Sequence, residues 1–181
     1  MFKKCIRESA EFYAIGFNAK AERNKAVVPI GWLKLHEGWT KLNTDRSVMG
    51  NLAMAGGGGM IRGQEGEWIT GFARPLGRTH SCMAELWALK DGLLLAKELG
   101  INNLIVELDA LSVILLMKNS TCNLLMEPLP MEPLLLKAFP NTQVVHAYRE
   151  ANQCADALAK MGAISLTSLF FGLHRLWWIV F

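Results

Sequence analysis

Met54-Ala55-Gly56-Gly57-Gly58-Gly59-Met60-Ile61-Arg62 leads through Gln64-Glu65-Gly66-Glu67 into Trp68-Ile69-Thr70-Gly71-Phe72-Ala73. The middle piece is a turn with a glycine placed for positive φ, so the two flanks read as a β-hairpin. The run of four glycines raises a second reading, a loop that cradles phosphate. No GK[ST] follows it and the turn lies just beyond, so the run reads as a strand that another element approaches closely.

Working outward, regular structure starts at Trp39, and Thr40-Lys41-Leu42-Asn43-Thr44-Asp45 reads as a short strand ending at Asp45. Downstream, residues 82–99 carry Leu86, Leu89, Leu93 and Ala96 at three- and four-residue spacing. That spacing predicts a helix, with Ser81 as N-cap and Gly100 at C′. Residues 104–108 form a short apolar run and predict a buried strand. A helix over 110–118 follows directly after Asp109. Glu127 to Pro133 holds three prolines and reads as loop, or at most as the start of a helix that continues over 134–139 and stops at Pro140. Residues 143–146 predict a fifth strand, and 152–161 a last helix capped by Gly162.

The order β-β-β-α-β-α-α-β-α predicts an α/β domain: a mixed five-stranded sheet, three strands antiparallel and two further strands parallel, with helices on both faces. The chain has 181 residues, 51% of them hydrophobic and 19% charged, which supports a real core and excludes intrinsic disorder. Residues 39–163 form the predicted domain. Residues 1–38 form a basic extension with a net charge of +3, against −1 for residues 39–163, and a short helix is predicted near residues 8–17. The overall net charge of +3 is too mild to argue for nucleic acid by itself. Cys5, Cys82, Cys122 and Cys154 form no CxxC pair, so neither a disulfide framework nor a zinc site is expected. Arg7, Glu8 and Glu11 interrupt any signal-peptide core, so an intracellular, nuclear or cytoplasmic chain is expected, not a secreted one.

Residues 164–181 form an apolar tail, with Leu169-Phe170-Phe171 and Leu176-Trp177-Trp178-Ile179-Val180-Phe181. A C-terminal membrane anchor has a similar composition. His174-Arg175 breaks the run near its middle, and the stretch is barely long enough to span a bilayer, so an irregular end without membrane insertion is expected.

Four acids fall at element ends: Asp45 after the first strand, Glu85 at the start of the long helix, Asp109 after the fourth strand, and Asp156 early in the last helix. If the first and fourth strands are neighbours, these carboxylates converge. Such a group repels itself unless cations neutralise it, and hard oxygen donors suit magnesium. Spacing alone leaves a second reading open: acids near helix N-termini are favoured by the helix dipole, and an Asp after a strand often caps the next helix.

The segments Trp39–Asp45, Met83-Ala84-Glu85-Leu86-Trp87-Ala88-Leu89, Val106-Glu107-Leu108-Asp109-Ala110 and His146-Ala147-Tyr148-Arg149-Glu150-Ala151-Asn152-Gln153-Cys154-Ala155-Asp156-Ala157-Leu158-Ala159 together resemble the successive motifs of type 1 ribonuclease H. They are most similar to the plant, retrotransposon-related, reverse-transcriptase-like group, and the resemblance covers residues 39–163. It implies endonucleolytic hydrolysis of the RNA strand of an RNA/DNA hybrid with two Mg²⁺ ions, Mn²⁺ being a substitute. It assigns Asp45, Glu85, Asp109 and Asp156 as metal-binding acids. It also places His146 where the family has a mobile histidine linked to proton transfer or product release. One departure stands out: the family has glycine directly after the first Asp, and Arg46 stands here. A long cation at that point can block close approach of a hybrid or bind its phosphate. The alternative expectation is therefore a catalytically impaired nucleic-acid-binding module derived from a retroelement ribonuclease H.

Overall fold

The computed structural model describes residues 34–49, 54–118 and 135–172. The extension up to residue 33, the proline-rich stretch at 127–133, and His174-Arg175 with the apolar run after it lie outside the described residues. So does the start of the helix expected from Pro133, of which Leu135 and Leu136 are described as helical.

The elements are β1 (Thr40–Met49), β2 (Met54–Arg62), β3 (Trp68–Arg78), α1 (Ser81–Glu98), β4 (Asn103–Leu108), α2 (Leu111–Lys118), β5 (Asn141–His146), α3 (Gln153–Ile164) and β6 (Leu169–Gly172). They build one mixed sheet in the order β5-β4-β1-β2-β3-β6. The β1, β2, β3 meander is antiparallel, and β4 and β5 add in parallel on the other side of β1. Gly66, at φ 87°, makes the predicted hairpin turn, and its N–H donates to the Gly63 carbonyl at 3.1 Å.

The sheet has six strands where the sequence predicted five. β6, from the stretch read as an irregular apolar tail, pairs antiparallel with β3. Within that continuous apolar run a period of two operates. Leu169 and Phe171 pack against Met60, Ala73 and Leu158, while Phe170, partly exposed, lies on the α1 side beside Phe72. β1 is also longer than predicted. Its ladder with β4 stops at Asn43–Glu107, but its ladder with β2 continues to Met49–Met54, so Asp45 sits within the strand and not at its end.

Helix α1 begins at Ser81 itself, with His80 as an N-cap that supplies no side-chain bond, so Ser81 is not the cap. Gly100, at φ 67°, follows the C-cap Leu99 as predicted. Leu42, Ile61, Phe72, Leu89, Leu93, Leu104, Val106 and Leu108 fill the core beneath this helix. The opposite face of the sheet is thin. There α3 lies directly on backbone, because a Cβ on Gly56 would come 2.1 Å from Ala163 N, and one on Gly58 2.2 Å from Ala159 N. Gly162 is part of this contact and not a cap: it lies inside α3, where a Cβ would meet the Arg74 carbonyl oxygen at 2.6 Å. The glycine run is thus a close-packed strand, and its strain-free packing depends on missing side chains. Among the described residues no helix is long and apolar enough to cross a membrane.

Gly58→Ala should destabilise the chain by about 3 kcal/mol or more, because helix backbone must move to admit the methyl group. Gly57 faces the other way, where a Cβ would meet Ala88 Cβ at 3.1 Å, so Gly57→Ala should cost clearly less. Urea denaturation of the two variants checks this order, and equal losses would contradict it.

Candidate metal centre

Alternation along β1 sends Lys41, Asn43 and Asp45 to the face covered by α3, since their register partners Arg62, Met60 and Gly58 lie on that face. Asp109 directly follows β4, two residues beyond the last β1–β4 pair, Asn43–Glu107. Glu85 belongs to the buried stripe of α1 that continues through Leu89, Gly92 and Ala96. A Cβ on Gly92 would touch Leu42 and Thr44, so this stripe rides along β1 and carries Glu85 to the Asp45 end.

Asp45, Glu85 and Asp109 accordingly converge, each with a carboxylate oxygen within 4.8 Å of the others. Burial drives the Asp45 carboxyl up to about 7, with the charges of Asp109 and Asp156 adding to the rise; the Arg46 N–H and guanidinium oppose it. Glu85 is 2% exposed and is pushed up to about 8, first by burial and then by Asp45 and Asp109. Its Oε1 is buried without a hydrogen-bond partner, and Oε2 lies 3.6 Å from Arg46 Nε. An orphaned buried oxygen beside two further carboxylates is costly unless a cation satisfies it. The donor set is all oxygen, which fits a hard divalent ion.

Asp156 stands outside this three-acid group. Lys160, one turn along α3, holds its Oδ2, and Arg149 approaches Oδ1 at 3.7 Å. It remains near enough for its charge to act on Asp45. His146 ends β5, where its Nε2–H donates to the Asp109 backbone carbonyl at 3.2 Å, and its ring meets Tyr148 edge-on at 5.7 Å. The predicted histidine thus lies beside the acids, tied to the chain at one of them.

A layer of polar side chains, to which the sequence reading gave no role, lies beneath the acids. Asn43 donates to Glu107 at 2.8 Å and to Asn152 Oδ1 at 3.1 Å, and Asn152 Nδ2 donates to the Thr44 carbonyl at 2.9 Å. Lys41 pairs with the other oxygen of Glu107. These contacts tie β1, β4 and the N-terminus of α3 together one step below the carboxylates. The signal was spacing: Asn43 and Glu107 each stand two residues before an acid, and Asn152 stands four before Asp156.

Comparisons with known proteins agree with this architecture. The family described as reverse transcriptase-like matches residues 43–162. An Arabidopsis thaliana protein provisionally named as a ribonuclease H is 34% identical over 149 residues, covering 80% of this chain; the chain spans only 23% of that relative's length. The ribonuclease H1 of the halophilic archaeon Halobacterium salinarum superposes with a TM-score of 0.59 at 23% identity, over 69% of this chain and 97% of its own. A ribonuclease H1 isolated from compost, solved in complex with an RNA/DNA hybrid, gives 0.57 at 24% identity, over 68% of this chain and 96% of its own. With its six-stranded mixed sheet and its match over residues 43–162, the chain belongs to the reverse transcriptase-like family and has the ribonuclease H-like fold.

Proposed function

We propose that this domain hydrolyses the RNA strand of RNA/DNA hybrids, cutting internally, with two Mg²⁺ ions or Mn²⁺ in their place. The observation that carries this reading is the convergence of Asp45, Glu85 and Asp109 from β1, α1 and the end of β4, with a buried oxygen of Glu85 left without a partner. Asp45, Glu85 and Asp109 would hold the metal directly, and Asp156 would join after release from Lys160. Bound divalent ions supply activation of a water and stabilisation of the leaving oxygen of a phosphodiester. The chain's own groups do the rest. Asn43 and Asn152 fix the β1 backbone that presents Asp45, and His146 holds a proton at Nε2 beside Asp109, in place for transfer or for escort of the product. A second reading, a hybrid-binding module without turnover, draws on the Arg46–Glu85 contact.

The full chain should cleave the RNA strand of a labelled hybrid, lose cleavage with EDTA, and lose about a hundredfold or more in Asp109→Asn. Cleavage that persists in Asp109→Asn would sink the catalytic reading. Hybrid binding without turnover, in a chain that gains turnover as Arg46→Gly, would select the second one.

The raised acids also set the pH dependence of stability in metal-free buffer. Asp45 and Glu85 titrate near 7 and near 8 when folded, against ordinary values of 3.8 and 4.5. Between these limits the folded chain binds more protons than the unfolded one, so stability falls as pH rises through that window. Thermal melts in EDTA should show this decline, and Asp45→Asn should reduce it. Mg²⁺ should restore stability above the window, by about 2.7 kcal/mol at one hundred times its Kd. Melting temperatures that are flat with pH and indifferent to Mg²⁺ would contradict a buried, ion-binding cluster.

A further inference from the structure

Arg46 follows Asp45 on β1 and points to the opposite face of the sheet. Its register partner is Gly57, which lies under Ala88 of α1. The stem therefore runs along the α1 side, and Nε arrives 3.6 Å from Glu85 Oε2, with the arginine side chain 38% exposed and the glutamate 2%. The guanidinium meets this acid through Nε, in an ion pair longer than a hydrogen bond.

We infer that Arg46 is a resident counter-ion of Glu85 that competes with a divalent ion for the acidic cluster. The inference rests on the proposed metal centre. Two of the four acids are already matched by cations of the chain: Glu85 by Arg46, and Asp156 by Lys160 and Arg149. Among the described residues Asp45 and Asp109 form no ion pair, so they are the acids left to an incoming ion. An ion that also takes Glu85 must either displace the guanidinium or sit beside it against like-charge repulsion. The Arg46 side chain is 38% exposed, which lets the guanidinium swing aside without unfolding β1. Its effect is therefore on affinity, with the site still able to fill.

Calorimetric titration of Mg²⁺, and separately Mn²⁺, into the full chain without nucleic acid tests this. Arg46→Gln keeps the stem and removes the charge, Arg46→Gly removes both, and Asp109→Asn reports on the centre itself. Both Arg46 variants should bind either ion about tenfold more tightly than the unaltered chain, with Asp109→Asn much weaker than all of them. Equal affinity in the unaltered chain and Arg46→Gln overturns the inference and leaves the metal centre standing. Tightening in Arg46→Gly alone overturns it too, since backbone freedom and not charge would then be the cause. Absence of binding in every variant overturns the metal centre, and the competition with it.

Discussion

Helix α3 rests on the bare backbone of β2, and the position of the acidic site follows from that close approach. Gly56 and Gly58 offer no side chain beneath Ala159 and Ala163, and Gly162 offers none above Arg74. An ordinary strand surface would hold the helix several ångströms farther away. At the observed distance Asn152, just before the helix, donates to the Thr44 carbonyl and accepts from Asn43. The same approach brings Asp156 within electrostatic reach of Asp45. Packing of small residues along β2 thus sets the geometry of a polar cluster on β1, one strand away.

The polar layer beneath the acids gives them a firm base. A buried Lys–Glu pair is weak support for stability, because desolvation offsets much of its attraction. Here Glu107 is bonded on both oxygens, to Lys41 and to Asn43, so the pair is satisfied and its partners are fixed in place. The acids above are arranged differently. Glu85 keeps an unpartnered buried oxygen, and Asp45 accepts from the Arg46 backbone N–H at 2.7 Å while two other carboxylates press on it. A satisfied layer under an unsatisfied one is what an ion-binding site needs: the second can respond to a cation because the first holds the backbone still.

Most of this architecture was legible because it depends on local chemistry. Gly66 and Gly100 mark a turn and a helix end by positive φ, and the leucine spacing of α1 marks its buried stripe. The four acids were legible as a motif set, and three of them meet in space. What stayed hidden depends on partners far along the chain. β6 was hidden because Leu169-Phe170-Phe171 is apolar on both faces, and only pairing with β3 assigns Leu169 and Phe171 to one side of the sheet and Phe170 to the other. Gly162 looks like a stop signal until the backbone of Arg74 is seen against it. β1 extends past Asp45 because β2 continues to pair where β4 has ended, and no local propensity encodes that.

The two faces of the sheet also explain why the residue after Asp45 acts on Glu85 and not on Asp156. Successive side chains on a strand point to opposite faces. Asp45 therefore looks toward α3, where Asp156 is held by Lys160 and Arg149, and Arg46 looks toward α1, where Glu85 is buried. The carboxylates meet only where β4 stops pairing with β1, at the seam between those faces. A positive charge placed one residue earlier or later would face the α3 side and add to cations already there. At position 46 it meets Glu85, which has no other cationic partner among the described residues, so a single side chain changes the charge of the centre while the fold around it is untouched.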